Sequence, residues 1–186
     1  MQRVIQKLFG NRLALQLVEE EYKGLIVPAS TAAKIYVLSR VVALGDQVTL
    51  DIKVGDIVFW QTNGIIQKQC RYDFNGVATF VLMAGDMIAK LSSAEVTRQV
   101  FQVIGDWCLV TRETIQPKRI IIPTEVAETN QEMTVKYNLD SKGAGVEMDI
   151  KPGDELVLDR SRANPIKLGK DSYWYIHKNF VLGVVG

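Results

Sequence analysis

Apolar and polar residues in the first half of the chain fall into short runs separated by turn residues. Arg12 to Val18 partly alternates and predicts a strand. Ile35 to Leu44 is β-branched and apolar, a second strand, and Gly45-Asp46 stops it. Gly55-Asp56 makes a turn that feeds a strand through Ile57-Val58-Phe59-Trp60. Asn63-Gly64 and Asn75-Gly76 are turn signals, the second a hairpin cue. Thr79 to Met83 and Met87 to Leu91 are strands that close this half. Helical periodicity is nearly absent. Only Ser92 to Gln99 predicts a short helical turn, with Ser93 as its cap.

One stretch breaks the pattern. Gly24-Leu25-Ile26-Val27-Pro28 places three bulky apolar residues together between an acidic run, Glu19-Glu20-Glu21, and the small residues Ala29 to Ala33. A strand with one wet face alternates. This segment does not, and glycine and proline bracket it, which marks a loop. An apolar triplet on a loop either packs under its own domain or is presented to a partner.

The second half restarts the first. Gly105-Asp106-Trp107-Cys108-Leu109-Val110 follows Gly10-Asn11-Arg12-Leu13-Ala14-Leu15, and Ile120-Ile121-Ile122-Pro123 follows Leu25-Ile26-Val27-Pro28, both at an offset of 95. Asp149-Ile150-Lys151-Pro152-Gly153-Asp154 follows Asp51-Ile52-Lys53-Val54-Gly55-Asp56 at an offset of 98. The extra residues are expected between Pro123 and Asp149, near Asp140 to Gly145. Tyr173 to Ile176 and Phe180 to Val185 parallel the strands that end the first half. Landmarks kept in order predict two copies of one unit, residues 1–94 and 95–186. Each has short strands and almost no helix, an all-β composition that suggests a small barrel or sandwich. The apolar terminal segments, Arg3 to Leu8 and Phe180 to Val185, are expected to be strand edges that pair between chains.

Composition narrows the function. The 186 residues are 47% hydrophobic, enough for a packed core, and the net charge is +1 with both signs dispersed. That excludes the basic footprint of a nucleic-acid binder. No apolar run approaches the roughly 20 residues that span a bilayer, and Met1 to Lys7 is too polar for a signal-peptide apolar region. Cys70 and Cys108 lie far apart and read as reduced thiols of a cytosol-like compartment, with a single disulfide as the alternative.

The landmarks resemble the GroES-type co-chaperonin family. In that family a strand leads to a mobile loop with Gly-Ile-Val-Leu, then small residues and a lysine. Gly24-Leu25-Ile26-Val27 and Ser30 to Lys34 are similar. The family's Val-x-Val-Gly-Asp-x-Val-x-Phe resembles Ile52 to Phe59, and its terminal apolar strand, acidic turn and Asp-Ile-Leu-Ala resemble Val81-Leu82-Met83 and Asp86 to Ala89. The resemblance covers about residues 8–92 and, more loosely, 103–186. It implies two tandem GroES-like small β-barrels, each with a mobile loop. It implies a homo-oligomeric ring that caps a GroEL-type chaperonin and encloses an unfolded substrate protein, in the cytoplasm or in a host cytoplasm if phage-encoded. The chaperonin-binding residues it implies are Gly24, Leu25, Ile26 and Val27, with Ile120, Ile121 and Ile122 in the second copy. It implies no cofactor, since ATP is bound and hydrolysed by the chaperonin, and no enzyme activity. The second copy departs from the pattern, with Arg119 in place of the loop glycine and Pro117 before it. The Gly45 to Asp51 segment is shorter than the family's roof hairpin. Tandem units occur in plastids, and some phage-encoded members lack that hairpin.

Simpler readings compete at each position. Either apolar triplet could be a buried strand. Asp56 and Asp154 sit in Gly-Asp turns, where a short acceptor side chain stabilises the turn rather than doing acid-base work. His177, the single histidine, has no nominated partner and is expected at the surface or in a hairpin. Clustered metal ligands are missing. Gly143-Ala144-Gly145 is expected to be a turn and not a phosphate loop. Trp60, Trp107 and Trp174 are expected in the core or at interfaces. A structural or assembly protein with this fold and no chaperonin contact, such as a viral scaffold, is the alternative function.

Overall fold

The computed structural model describes residues 5, 7–18, 35–62, 69–74, 76–93, 95–115 and 134–186. The described strands form two antiparallel sheets. The first contains β1 (Arg12–Leu17), β2 (Ile35–Leu44), β3 (Ile57–Thr62), β4 (Arg71–Phe74), β5 (Val77–Met83), β6 (Met87–Leu91) and β7 (Phe101–Val103), in the order β4-β5-β1-β2-β3-β6-β7. The second contains β8 (Trp107–Ile115), β9 (Thr134–Lys142), β10 (Glu155–Leu158), β11 (Asn164–Leu168), β12 (Asp171–His177) and β13 (Val181–Val184), in the order β11-β12-β8-β9-β10-β13. The all-β architecture of two GroES-like units expected from the sequence is present.

Both sheets are rolled. In the first, β5 and β6 stand several strands apart in the sheet yet are joined by the 3-10 turn Ala84–Asp86. So short a link forces the sheet to curl around its own core of Leu13, Leu15, Val58, Trp60, Leu82 and Met87. The second curls in the same way, with Lys178–Phe180 linking β12 to β13 around Cys108, Val110, Leu139, Leu156 and Ile176.

The two units carry matching backbone turns. Gly55 and Gly153 have φ of 98° and 96°, a conformation that favours glycine. Asp56 Oδ2 accepts from Lys53 N at 2.9 Å, and Asp154 Oδ2 accepts from Lys151 N at 2.7 Å. Gly55 N donates to Val41 O and Gly153 N to Leu139 O. These aspartates are turn elements. The pairings also relocate the extra residues. Val110 faces Leu139 as Leu15 faces Val41, so the offset is 95 on β8 but already 98 on β9. The insertion therefore lies between Pro123 and Leu139, before Asp140 to Gly145.

Two further expectations change. Residues 92–93 and 95–99 form bends and turns rather than a helix. Val96 and Val100 pack on buried apolar residues there, and Arg98 reaches Asp140 and Ser141 at 2.9 and 3.3 Å, so tertiary contacts hold the segment in place of helical hydrogen bonds. Strand β7 lies in the second copy by sequence but pairs with β6 of the first sheet, Val103 opposite Ala89 and Phe101 opposite Leu91.

That pairing explains the unbroken apolar run of β3. Neighbouring side chains on a strand point to opposite faces. Val58 and Trp60 enter the first unit's core, while Ile57 and Phe59 enter a third cluster shared with Phe101, Leu109, Ile166, Leu168 and Tyr175. Both faces are dry. On β10 of the second sheet only Leu156 and Leu158 are buried.

Candidate functional site

The two longest connections leave the sheets at corresponding places. One joins β1 to β2 and the other joins β8 to β9, which are equivalent hairpins in the two strand orders. Gly24, Leu25, Ile26 and Val27 lie in the first connection and Ile120, Ile121 and Ile122 in the second. All seven fall outside the described residues, as do the Glu19-Glu20-Glu21 run and Asn63-Gly64.

The bases of the two connections are described up to Val18 and Ile35 in the first and Ile115 and Thr134 in the second. The first ladder is described to Leu17 opposite Ser39, with Val18 N donating to Leu38 O at 3.1 Å. The second continues through Glu113–Lys136, Thr114–Val135 and Ile115–Thr134. Lys136 is further held by Glu155 at 2.6 Å, a bond that raises its pKa. The Arg112 guanidinium lies over the Trp174 ring. The second connection rises from a ladder that runs to Ile115 opposite Thr134.

Contacts between the two sheets link both bases. Phe59 meets Phe101 and Tyr175 edge-on, with ring centroids 5.4 and 6.1 Å apart. Tyr175 Oη donates to Gln61 Oε1 at 3.2 Å, and Trp107 Nε1 donates to Gly85 O at 3.3 Å. The Phe59–Tyr175 contact and both hydrogen bonds join one sheet to the other. The linker is fastened as well, since Gly169 N donates to Val96 O. Sequence reasoning missed this joint. The tryptophan expectation came nearest, with Trp60 buried and Trp107 at the boundary.

Chemistry elsewhere is sparse. Among the described residues no group of His, Cys, Asp and Glu is placed to hold a metal ion. His177 ends β12, packs edge-on against Trp107 at 5.2 Å, and its Nδ1 accepts from Asn179 N. Cys108 is buried, which pushes its thiol up to about 11, far from a nucleophile's range. Cys70 borders the other core. Gly143 and Gly145 make a turn whose backbone packs on Ile104 and Gly105, so closely that a Cβ at Gly143 would strike both carbonyls. No α-helix follows it among the described residues, so it is not a phosphate cradle.

The Chaperonin 10 Kd subunit family matches residues 101–185. The match begins at the first residue of β7 and takes in every strand of the second sheet. The second unit is therefore similar to the subunit of a GroES-type co-chaperonin. No curated protein matches the chain. In this unit the β8–β9 connection, with Ile120 to Ile122, corresponds in sequence to the connection that has Leu25 to Val27 in the first unit.

Proposed function

We propose that the chain is a tandem co-chaperonin that caps a GroEL-type chaperonin and assists ATP-dependent folding of an enclosed protein. The observation that carries this reading is the placement of the two apolar triplets. Each sits in the long connection of an equivalent hairpin, on two sheets of the same strand order, one of which matches the family. The chain's role is to bind and to enclose, and nucleotide hydrolysis belongs to the partner.

In this reading Leu25, Ile26 and Val27, and likewise Ile120, Ile121 and Ile122, dock on apolar surface of the chaperonin. Full burial of such side chains is worth about 1.5–3 kcal/mol each, and ordering the loop offsets much of it. A single loop then binds weakly. Several loops on one homo-oligomeric ring bind together through effective concentration, and weak single contacts let the cap leave when the chaperonin changes shape. Gly24 supplies backbone freedom that Arg119 does not, so the first loop is the more adaptable contact. The cytoplasm is the compartment that suits this partner.

Limited proteolysis tests the reading. Cleavage within residues 19–34 is expected to be fast in the free protein and suppressed by a GroEL-type chaperonin with nucleotide. Equal cleavage with and without chaperonin would favour an assembly protein that makes no chaperonin contact.

A further inference from the structure

The turn that closes each unit is held differently in the two copies. In the first, Ala84–Asp86 links β5 to β6, and its N-cap residue, Met83, makes no side-chain hydrogen bond to it. In the second, Lys178–Phe180 links β12 to β13, and its N-cap residue is His177, whose Nδ1 accepts from Asn179 N at 3.3 Å. The backbone bond that ends the turn is the same in both. Met87 N donates to Ala84 O, and Val181 N donates to Lys178 O. The chain's single histidine therefore marks the difference.

That hydrogen bond fixes the state of the ring. A backbone N–H can only donate, so Nδ1 meets it with a lone pair and Nε2 carries the proton. A further proton has to go on Nδ1, opposite the Asn179 N–H. Imidazolium has donors and no acceptor, so protonation and this bond exclude each other. The neighbouring residues are fastened otherwise. Lys178 N donates to Asp106 O at 2.8 Å, and Phe180 O accepts from Asp159 N at 3.0 Å. Among the described residues, His177 is what holds the middle amide of the turn.

The surroundings give the imidazolium a second contact. Asp106 Oδ2 lies 4.0 Å from Nε2, while Asp106 Oδ1 takes Lys178 Nζ at 3.0 Å. Lys178 Nζ also donates to Gly145 O. Trp107 on β8 and Phe180 in the turn pack on the ring, and the Arg162 guanidinium lies over Phe180. From the first unit, Gly85 accepts from Trp107 Nε1, and Asp86 follows it in the chain. The charged groups on this side of the molecule are thus Asp106 and Asp86 against Lys178 and Arg162. The His177 side chain is 25% exposed, so solvent protons reach it. Asp106 attracts the imidazolium, but it is 42% exposed and shared with Lys178. An exposed pair of that kind adds little and does not replace the bond to Asn179.

We propose that His177 is a proton-operated clasp on the closing turn of the second unit. Neutral imidazole holds the Asn179 amide. Imidazolium releases it and turns its charge to Asp106. Histidine is the side chain that changes charge between about pH 5 and 8, so the clasp is closed at the alkaline end of that range and opens as pH falls. β13 starts directly after the turn, and its pair Val181–Leu158 lies beside a break in register, so the loosening passes into that pairing. The first unit, with Met83 at this place, does not respond. The clasp belongs to the second unit's own closure and stands whether or not the chain binds a chaperonin.

Amide hydrogen exchange of the full chain, read by NMR at about pH 5 and about pH 8 and corrected for the intrinsic rate at each pH, tests it. Protection of the Asn179 and Val181 amides is expected to fall about three- to tenfold at the acid end, the worth of one hydrogen bond. Met87, in the first unit's turn, should keep its protection. His177→Asn should abolish the difference, because an asparagine N-cap accepts from the same backbone amide without titrating. Equal protection of Asn179 at both pH values in wild type would overturn the inference. So would a His177→Asn protein with the same acid loss as wild type, or a parallel loss at Met87.

Discussion

Tyr175, fully buried on β12, donates its hydroxyl to Gln61 on β3, 3.2 Å away across the boundary between the two sheets. The bond lies beside the Phe59–Tyr175 and Trp107–Tyr175 ring contacts. One side chain thus touches both units. Tyr175→Phe removes the bond and should cost about 0.5–1.5 kcal/mol. Tyr175→Ala empties the joint and should cost about 3–5 kcal/mol. Denaturant titration followed by Trp fluorescence reads both. With the joint intact the two units should unfold in a single transition, and Tyr175→Ala should separate it into two.

The core of the first unit contains a polar pair. Trp60 Nε1 donates to Ser39 Oγ at 2.9 Å, and Ser39 is 0% exposed. Ser39→Ala leaves a buried N–H without its acceptor and should destabilise by about 1–3 kcal/mol. The equivalent positions in the second unit are Tyr137 and Leu158, so Leu158→Ala there should act through lost packing instead, at about 2–5 kcal/mol. Thermal unfolding of the two variants compares them.

Gly55 and Gly153 separate conformational from steric cost. Both have positive φ, and a Cβ added at either meets nothing within 4 Å. Gly55→Ala and Gly153→Ala should each lose about 1–2 kcal/mol from backbone strain alone, read by thermal unfolding. Asp56→Ala and Asp154→Ala should reduce stability while leaving the binding of a chaperonin to folded protein unchanged.

The thiols should differ in reactivity. Cys108 is buried and its pKa is raised to about 11 by that burial, so at neutral pH it is protonated and shielded. Cys70 is only partly buried. A thiol reagent at neutral pH should label Cys70 in the native protein and reach Cys108 only on unfolding. Native-state labelling of Cys108 at the same rate would contradict the packing of the second core.

Much of the fold was legible because its signals are local. The Ile35–Leu44 strand, the Gly-Asp turns and the hairpin around Gly76 each follow from a few neighbouring residues. The repeat was legible because turn glycines and aspartates must recur at fixed positions. The location of the insertion was not, since only strand register separates an offset of 95 from one of 98. The 92–99 linker was misread because its helix-compatible residues are held by distant partners, Asp140 and Gly169. The shared cluster was invisible for a related reason. The run Ile57-Val58-Phe59-Trp60 announces two buried faces but does not say what covers the second. Of the candidate site, the sequence located the two triplets, and the structure adds the bases from which their connections rise.

The central claim is that apolar side chains on these two connections hold a chaperonin. Its most direct test is equilibrium binding of the full chain to a GroEL-type chaperonin with nucleotide, comparing wild type, Ile26→Asp, Ile121→Asp and the double variant. The account predicts that wild type binds, that Ile26→Asp weakens binding more than Ile121→Asp, and that the double variant does not bind. Binding by the double variant as tight as wild type, or no binding by wild type, would contradict it.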